Sequence, residues 1–124
     1  MRLFGHVAIV DDDASLRAAL SRLLRAHGID SVGYPSARAF LAALPAAMPA
    51  CLILDVNMPQ MTGPDLQREL LRLGIDIPTI VITAIDDAFV AAEAMSLGAK
   101  SFLTKPAPSQ ALMAAIDSAT REPV

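Results

Sequence analysis

Four short apolar runs in this sequence end in residues that could do chemistry: Asp11, Asp12 and Asp13 follow "HVAIV", Asp55 follows "CLIL", Thr83 follows "TIVI" and Lys105 follows "SFLT". An aspartate at the end of a strand is, taken singly, more often a turn or cap residue than a reactive group. Four such ends together say more. Carboxylates brought within a few ångströms repel one another and hold their protons unless a cation lies among them, so the cluster calls for a hard divalent metal. An all-oxygen set without His or Cys suits Mg²⁺, which retains waters and takes one or two carboxylates beside phosphate oxygens. Lys105 adds a cationic donor and Thr83 a hydroxyl, which makes a phosphoryl-sized pocket with compensated charge. Asp55, kept ionised by the metal and Lys105, is then a nucleophile toward phosphorus.

These residues converge only if the runs are parallel strands of one sheet. The pattern asks for that, because runs rich in Val, Ile and Leu alternate with segments of helical period. The strands fall at His6–Val10, Ser31–Tyr34, Leu52–Leu54, Thr79–Ile82 and Ser101–Leu103. Between them, Leu16, Leu20, Leu23 and Leu24 recur at helical spacing up to Gly28, and Ala37, Phe40, Leu41 and Leu44 do so up to Pro45. Leu66, Leu70 and Leu71 mark a third helix opening at Pro64, Phe89, Val90 and Met95 a fourth behind Asp86 and Asp87, and Leu112, Met113 and Ile116 a fifth. "VAIV", "LIL" and "TIVI" lack alternation, as central strands covered on both faces should, whereas Ser31–Tyr34 reads as an edge. Right-handed crossovers then give a doubly wound, flavodoxin-like (βα)5 domain with strand order 2-1-3-4-5 and its ligands beyond the carboxyl ends of the strands.

Composition narrows the class. A chain of 124 residues fits one domain, expected over 1–119, with 120–124 as a tail and the start of a linker to an output domain. The net charge of -3 is mixed along the chain, which disfavours nucleic-acid contact by this segment itself. Cys51 is alone and inside an apolar run, so it reads as a small buried hydrophobe. No apolar stretch is long enough for a membrane helix and no leader pattern opens the chain, so a soluble, cytoplasmic protein without membrane contact is expected. Arg17, Arg22 and Arg25 mark the solvated side of the first helix.

The motifs "IVDDD", "LILDVNMPQMTG", "IVITA" and "SFLTKP" stand in an order and at spacings that resemble the receiver domain of bacterial two-component response regulators, over essentially the whole chain. The resemblance is to the subgroup of nitrogen-fixation regulators with helix-turn-helix outputs. It implies that Asp55 is the phosphoacceptor for a sensor histidine kinase, and that Asp11, Asp12, Asp55 and the backbone carbonyl of Asn57 hold Mg²⁺. Asp13 lies outside that pattern and is left to cap the first helix. The resemblance further implies that Thr83 and Lys105 contact the phosphoryl oxygens, that Phe102 is a switch aromatic turning inward with Thr83, and that Lys105–Pro106 is a cis peptide. The output surface would be the face of the fourth helix, fifth strand and fifth helix, with a phosphorylation-dependent homodimer through it. DNA would be reached only through a missing output domain, and transcription is the expected output. The chain would not be an enzyme, promoting only its own phosphotransfer and a slow self-dephosphorylation, since Ile85 is apolar where many relatives carry a polar residue. Ala107 replaces the usual Phe after Lys-Pro and should loosen the last helix.

Other readings explain less. A haloacid-dehalogenase-type phosphatase would want a second Asp and a Thr where Asn57 and Pro59 stand. A flavodoxin-like cofactor binder would want a phosphate loop after the first strand, where three aspartates would repel it. A pseudo-receiver acting without phosphorylation is the alternative that keeps the fold.

Overall fold

The apolar runs lie side by side. A computed structural model describes residues 5–121. In chain order the elements are β1 Val7–Val10, α1 Ala14–Ala26, β2 Ser31–Tyr34, α2 Ala37–Ala43, β3 Cys51–Asp55, α3 Gly63–Arg72, β4 Thr79–Thr83, α4 Ala88–Ser96, β5 Ser101–Thr104 and α5 Ser109–Thr120. Every strand pairing is parallel, in the order β2-β1-β3-β4-β5. The expected doubly wound (βα)5 architecture is the one adopted.

Every residue of β1, β3 and β4 is buried, which explains why these runs do not alternate. Successive side chains feed opposite layers. Val7, Ile9, Ile53, Ile80 and Ile82 meet Leu24 of α1 and Leu112 and Ile116 of α5. Ala8, Val10, Leu52 and Leu54 meet Phe40 of α2 and Leu66 and Leu70 of α3. β2 and β5 are only partly covered, as edge strands should be. Leu112, Ala115, Ile116 and Ala119 are buried, so α5 docks through four residues despite Ala107.

Helix starts are set by side-chain oxygens. Asp13 caps α1, accepting the Ser15 and Leu16 N–H groups, and Asp87 caps α4 through the Phe89 and Val90 N–H groups. α3 carries a capping box: Thr62 accepts the Asp65 N–H while Asp65 accepts the Thr62 N–H, so the helix opens at Gly63 rather than at the expected Pro64. α2 ends at Ala43 because Leu44 must be extended ahead of Pro45, whose peptide bond is cis. α5 includes Thr120, the first residue of the expected tail, whose hydroxyl donates to the Ile116 carbonyl at 2.8 Å. Residues 122–124 of that tail lie outside the described residues.

α4 is lightly held. Only Ala94 on it is buried, within a small cluster of Val56, Val81 and Ala99. Gln67 of α3, itself buried, donates its amide to the Ala94 carbonyl at 3.0 Å, and the neighbouring Arg68 pairs with Glu93 at 2.8 Å. Leu71, expected on the apolar stripe of α3, is 59% exposed, because Gly63, Leu66, Gln67 and Leu70 form the inward face. No helix of the described residues is long and apolar enough to cross a membrane.

Candidate functional site

The parallel register brings the polar strand ends to one level. Val10 pairs with Leu54, Asp55 with Ile82 and Thr83 with Thr104, so Asp11, Asp55, Thr83 and Lys105 stand along the same edge. Asp55 and Thr83 are the last residues of β3 and β4, each strand running one residue further at its carboxyl end than polarity alone suggested. Asp11, Asp55 and Thr83 are all buried.

Lys105 bridges the two buried carboxylates. Its Nζ donates to Asp11 Oδ2 at 2.9 Å and to Asp55 Oδ1 at 3.2 Å. The Asp12 carboxylate is exposed and completes a group in which one oxygen from each of Asp11, Asp12 and Asp55 lies within 4.8 Å of the others. Asn57 is exposed in the loop two residues past β3. Thr83 Oγ1 accepts the Ile85 N–H at 3.2 Å, which leaves its proton free to donate. The Lys105–Pro106 peptide is cis. Phe102 pairs with Val81 across β4 and β5 and is half-buried against the Ala94 cluster.

The electrostatics answer why an apolar strand ends on a carboxylate. Burial pushes the Asp55 carboxyl above its ordinary range and the Asp11 charge pushes the same way, while Lys105 opposes both and does not win. Lys105 feels the reverse balance: burial would lower it, but its hydrogen bond and attraction to Asp11, then to Asp55, hold its ammonium above the ordinary lysine value. Lys105 therefore does not by itself offset the burial of Asp55 and the charge of Asp11. One cation serves two buried carboxylates and a third lies beside them, a deficit of positive charge that a divalent ion would fill. The donor set fits Mg²⁺: it offers oxygens only, from three clustered carboxylates.

Gly63 fits the end of β3 to the start of α3. Its N–H donates to the Val56 carbonyl at 2.9 Å, and a Cβ there would stand 2.4 Å from the Asp55 carbonyl oxygen and 3.0 Å from Val56 Cα. The first turn of α3 is thus laid directly on the peptide that carries Asp55.

Residues 7–117 match the family model of the response regulator receiver domain. The chain belongs to that family. This receiver domain is 42% identical to nodulation protein W of Bradyrhizobium diazoefficiens over 92% of its own length and 50% of that protein's. It is 38% identical to the transcriptional regulatory protein FixJ of the same organism, over 95% of its length and 58% of FixJ. The chain therefore spans about half the length of these relatives. The solved FixJ-N structure superposes with a TM-score of 0.90 at 38% identity, covering 99% of the receiver domain and 98% of that chain.

Three residues take roles that the sequence did not make legible. Arg17, read as solvated, is half-buried and donates to the Asp11 carbonyl at 2.7 Å. Its spacing from the aspartates was the available signal, because a side chain in the second turn of a helix leans back over the first. Gly63 was passed over because Pro64 gave the stronger helix signal. Gln67 drew no attention among the leucines of α3. Cys51 behaves as expected: it is buried, and burial pushes its thiol up to about 12, far from reactivity.

Proposed function

We propose that the domain is a phosphorylation-activated signalling switch in which Asp55 accepts a phosphoryl group from a phosphohistidine of a sensor histidine kinase. The observation that carries this is the buried Asp55 carboxylate sharing Lys105 with Asp11. An Asp55 carboxylate oxygen attacks phosphorus, the P–O bond forms as the P–N bond to the kinase histidine breaks, and the imidazole leaves with a proton. Asp11, Asp12, Asp55 and the Asn57 carbonyl would hold Mg²⁺. When bound, the ion offsets the charge on the carboxylates and on the incoming phosphoryl oxygens. Lys105 exchanges part of its bond to Asp55 for a phosphoryl oxygen, and the Thr83 hydroxyl donates to another.

The added charge and acceptor oxygens give Thr83 and Lys105 partners they lacked. As Thr83 turns toward the phosphoryl group it vacates space that Phe102 fills, and the face of α4, β5 and α5 changes. That face carries exposed apolar surface, with Phe89 88% and Met95 47% exposed, which supports a homodimer formed on phosphorylation. Sedimentation with beryllofluoride, a mimic of the phosphoryl group, should then show dimer where the untreated domain is monomer. The same monomer in both would remove the dimer from the reading. Its place is the cytoplasm, its output is transcription, and DNA is reached through an output domain outside this sequence. It turns over no substrate beyond its own phosphotransfer and a slow self-dephosphorylation.

The test is intact mass after incubation with acetyl phosphate. One phosphoryl group gained with Mg²⁺ and none with EDTA is the expected result. No gain in either would overturn the switch and leave a pseudo-receiver that binds partners without phosphorylation.

A further inference from the structure

Asp12 is the least anchored member of the acidic group. It is exposed, and its carboxylate makes no hydrogen bond among the described residues, so its position depends on the backbone from which it springs. Two contacts hold the flanking residues: the Asp11 N–H donates to the Tyr34 carbonyl at 3.2 Å, and the Asp13 N–H to Asp11 Oδ1 at 2.9 Å. Neither touches the Asp11 carbonyl, which belongs to the peptide unit leading into Asp12. Arg17 does. Its Nη1 donates to that oxygen at 2.7 Å, across six residues, and because the peptide is planar the bond fixes the plane that aims Asp12.

The neighbouring strand leaves room for this reach. Gly33 of β2 faces the Arg17 stem, and a Cβ there would lie 3.3 Å from Arg17 Cδ and 3.6 Å from Nε. Arg17 forms no ion pair among the described residues, so its guanidinium is committed to a carbonyl rather than to the nearby carboxylates. A positive charge beside a cation site is electrostatically adverse. Its presence there is explained if the hydrogen bond, not the charge, is what the site uses.

Resting on the metal-binding reading above, we infer that Arg17 is a positioning residue for the divalent cation, acting through the Asp11–Asp12 peptide. The two possible effects of Arg17 have opposite signs, which makes the inference testable. Loss of the charge alone would tighten Mg²⁺ binding. Loss of the positioning bond weakens it, by about five- to tenfold, toward the lower end of what outer contacts of a metal site supply.

The experiment is Mg²⁺ titration by calorimetry of the parent domain and of Arg17→Ala, Arg17→Lys and Arg22→Ala, the last an exposed arginine of the same helix that controls for charge. Thermal melts confirm that each is folded, and amide spectra of residues 11–13 provide a second readout. Weaker binding in Arg17→Ala, partial recovery in Arg17→Lys and parental or slightly tighter binding in Arg22→Ala are expected, with the amide shifts of Asp12 and Asp13 displaced only in the Arg17 variants. Parental or tighter affinity in a folded Arg17→Ala would overturn the positioning role and leave the metal site intact. Absence of Mg²⁺ binding by the parent would overturn both this inference and the reading on which it rests.

Discussion

Gly63→Ala lowers the melting temperature of the domain by about 10 °C, corresponding to a loss of about 3 kcal/mol for a domain of this size. The new methyl group would stand 2.4 Å from the Asp55 carbonyl oxygen and 3.0 Å from Val56 Cα, and both are backbone atoms that no rotamer change can move. Relief must come from displacing α3 or the end of β3. Either movement shifts Asp55, so the variant should also accept phosphoryl groups more slowly than its residual folded fraction explains. Gly28→Ala provides the contrast. It sits at φ +73 with nothing within 4 Å, so its cost is conformational only, about 1 kcal/mol. Differential scanning calorimetry of the two variants separates the mechanisms, and a Gly63→Ala melt no lower than that of Gly28→Ala would show that the contact is relieved cheaply.

Lys105→Met should cost about 2 kcal/mol at neutral pH, with a deficit that depends on pH and metal. Removing one partner of a buried ion pair typically costs about 3–5 kcal/mol. The Lys105 side chain is 22% exposed, and solvent screening reduces the figure. The sign of the pH dependence follows from the two shifts. The ammonium of Lys105 is held above its ordinary value, so its contribution is complete at neutral pH and is lost only as pH rises through that raised value. Asp55 is also raised, so its ionisation opposes folding, fully above its folded pKa and not at all below the ordinary carboxylate value. Without Lys105 its carboxyl rises further and the opposition strengthens. Urea denaturation in EDTA should therefore show the deficit growing as pH rises from the ordinary carboxylate value toward neutrality, and Mg²⁺ should recover part of it by binding the folded state. A deficit that is flat across pH would mean that Lys105 stabilises by packing rather than by charge.

How much of this was legible in the sequence depended on which physical signal each residue left. The sheet order and the site's four strand ends were legible because apolar runs buried on both faces stop abruptly at charged or hydroxylated residues. The strand limits were less so: Asp55 and Thr83 are polar yet still paired within the ladder, and polarity alone ended β3 and β4 one residue early. The start of α3 was misplaced because a proline is conspicuous, whereas the reciprocal bonds of Thr62 and Asp65 that set the start need coordinates. On α3 hydropathy favoured Leu71 over Gln67, but helical geometry buries Gln67, where its amide satisfies the Ala94 carbonyl of α4. Arg17 was hidden for a related reason. A charged side chain on an amphipathic helix reads as solvated, and its return to the Asp11 carbonyl is a matter of side-chain direction rather than of residue type.

The charge balance was half legible. Clustered aspartates announced a cation, but their types could not tell whether Lys105 would suffice. Its two bonds are divided between Asp11 and Asp55, and burial has already disfavoured the Asp55 carboxylate. The domain is thus left ready for added positive charge and, on the proposed reading, for a phosphoryl group delivered with it.

The measurement that tests the central claim most directly is the location of the phosphoryl group. After phosphorylation by acetyl phosphate with Mg²⁺, borohydride reduction converts an aspartyl phosphate to homoserine, and peptide sequencing by mass spectrometry identifies the residue. Homoserine at position 55, absent from Asp55→Asn, is the expected result. Homoserine at Asp11, Asp12, Asp13 or Asp86 with position 55 unmodified would contradict the account.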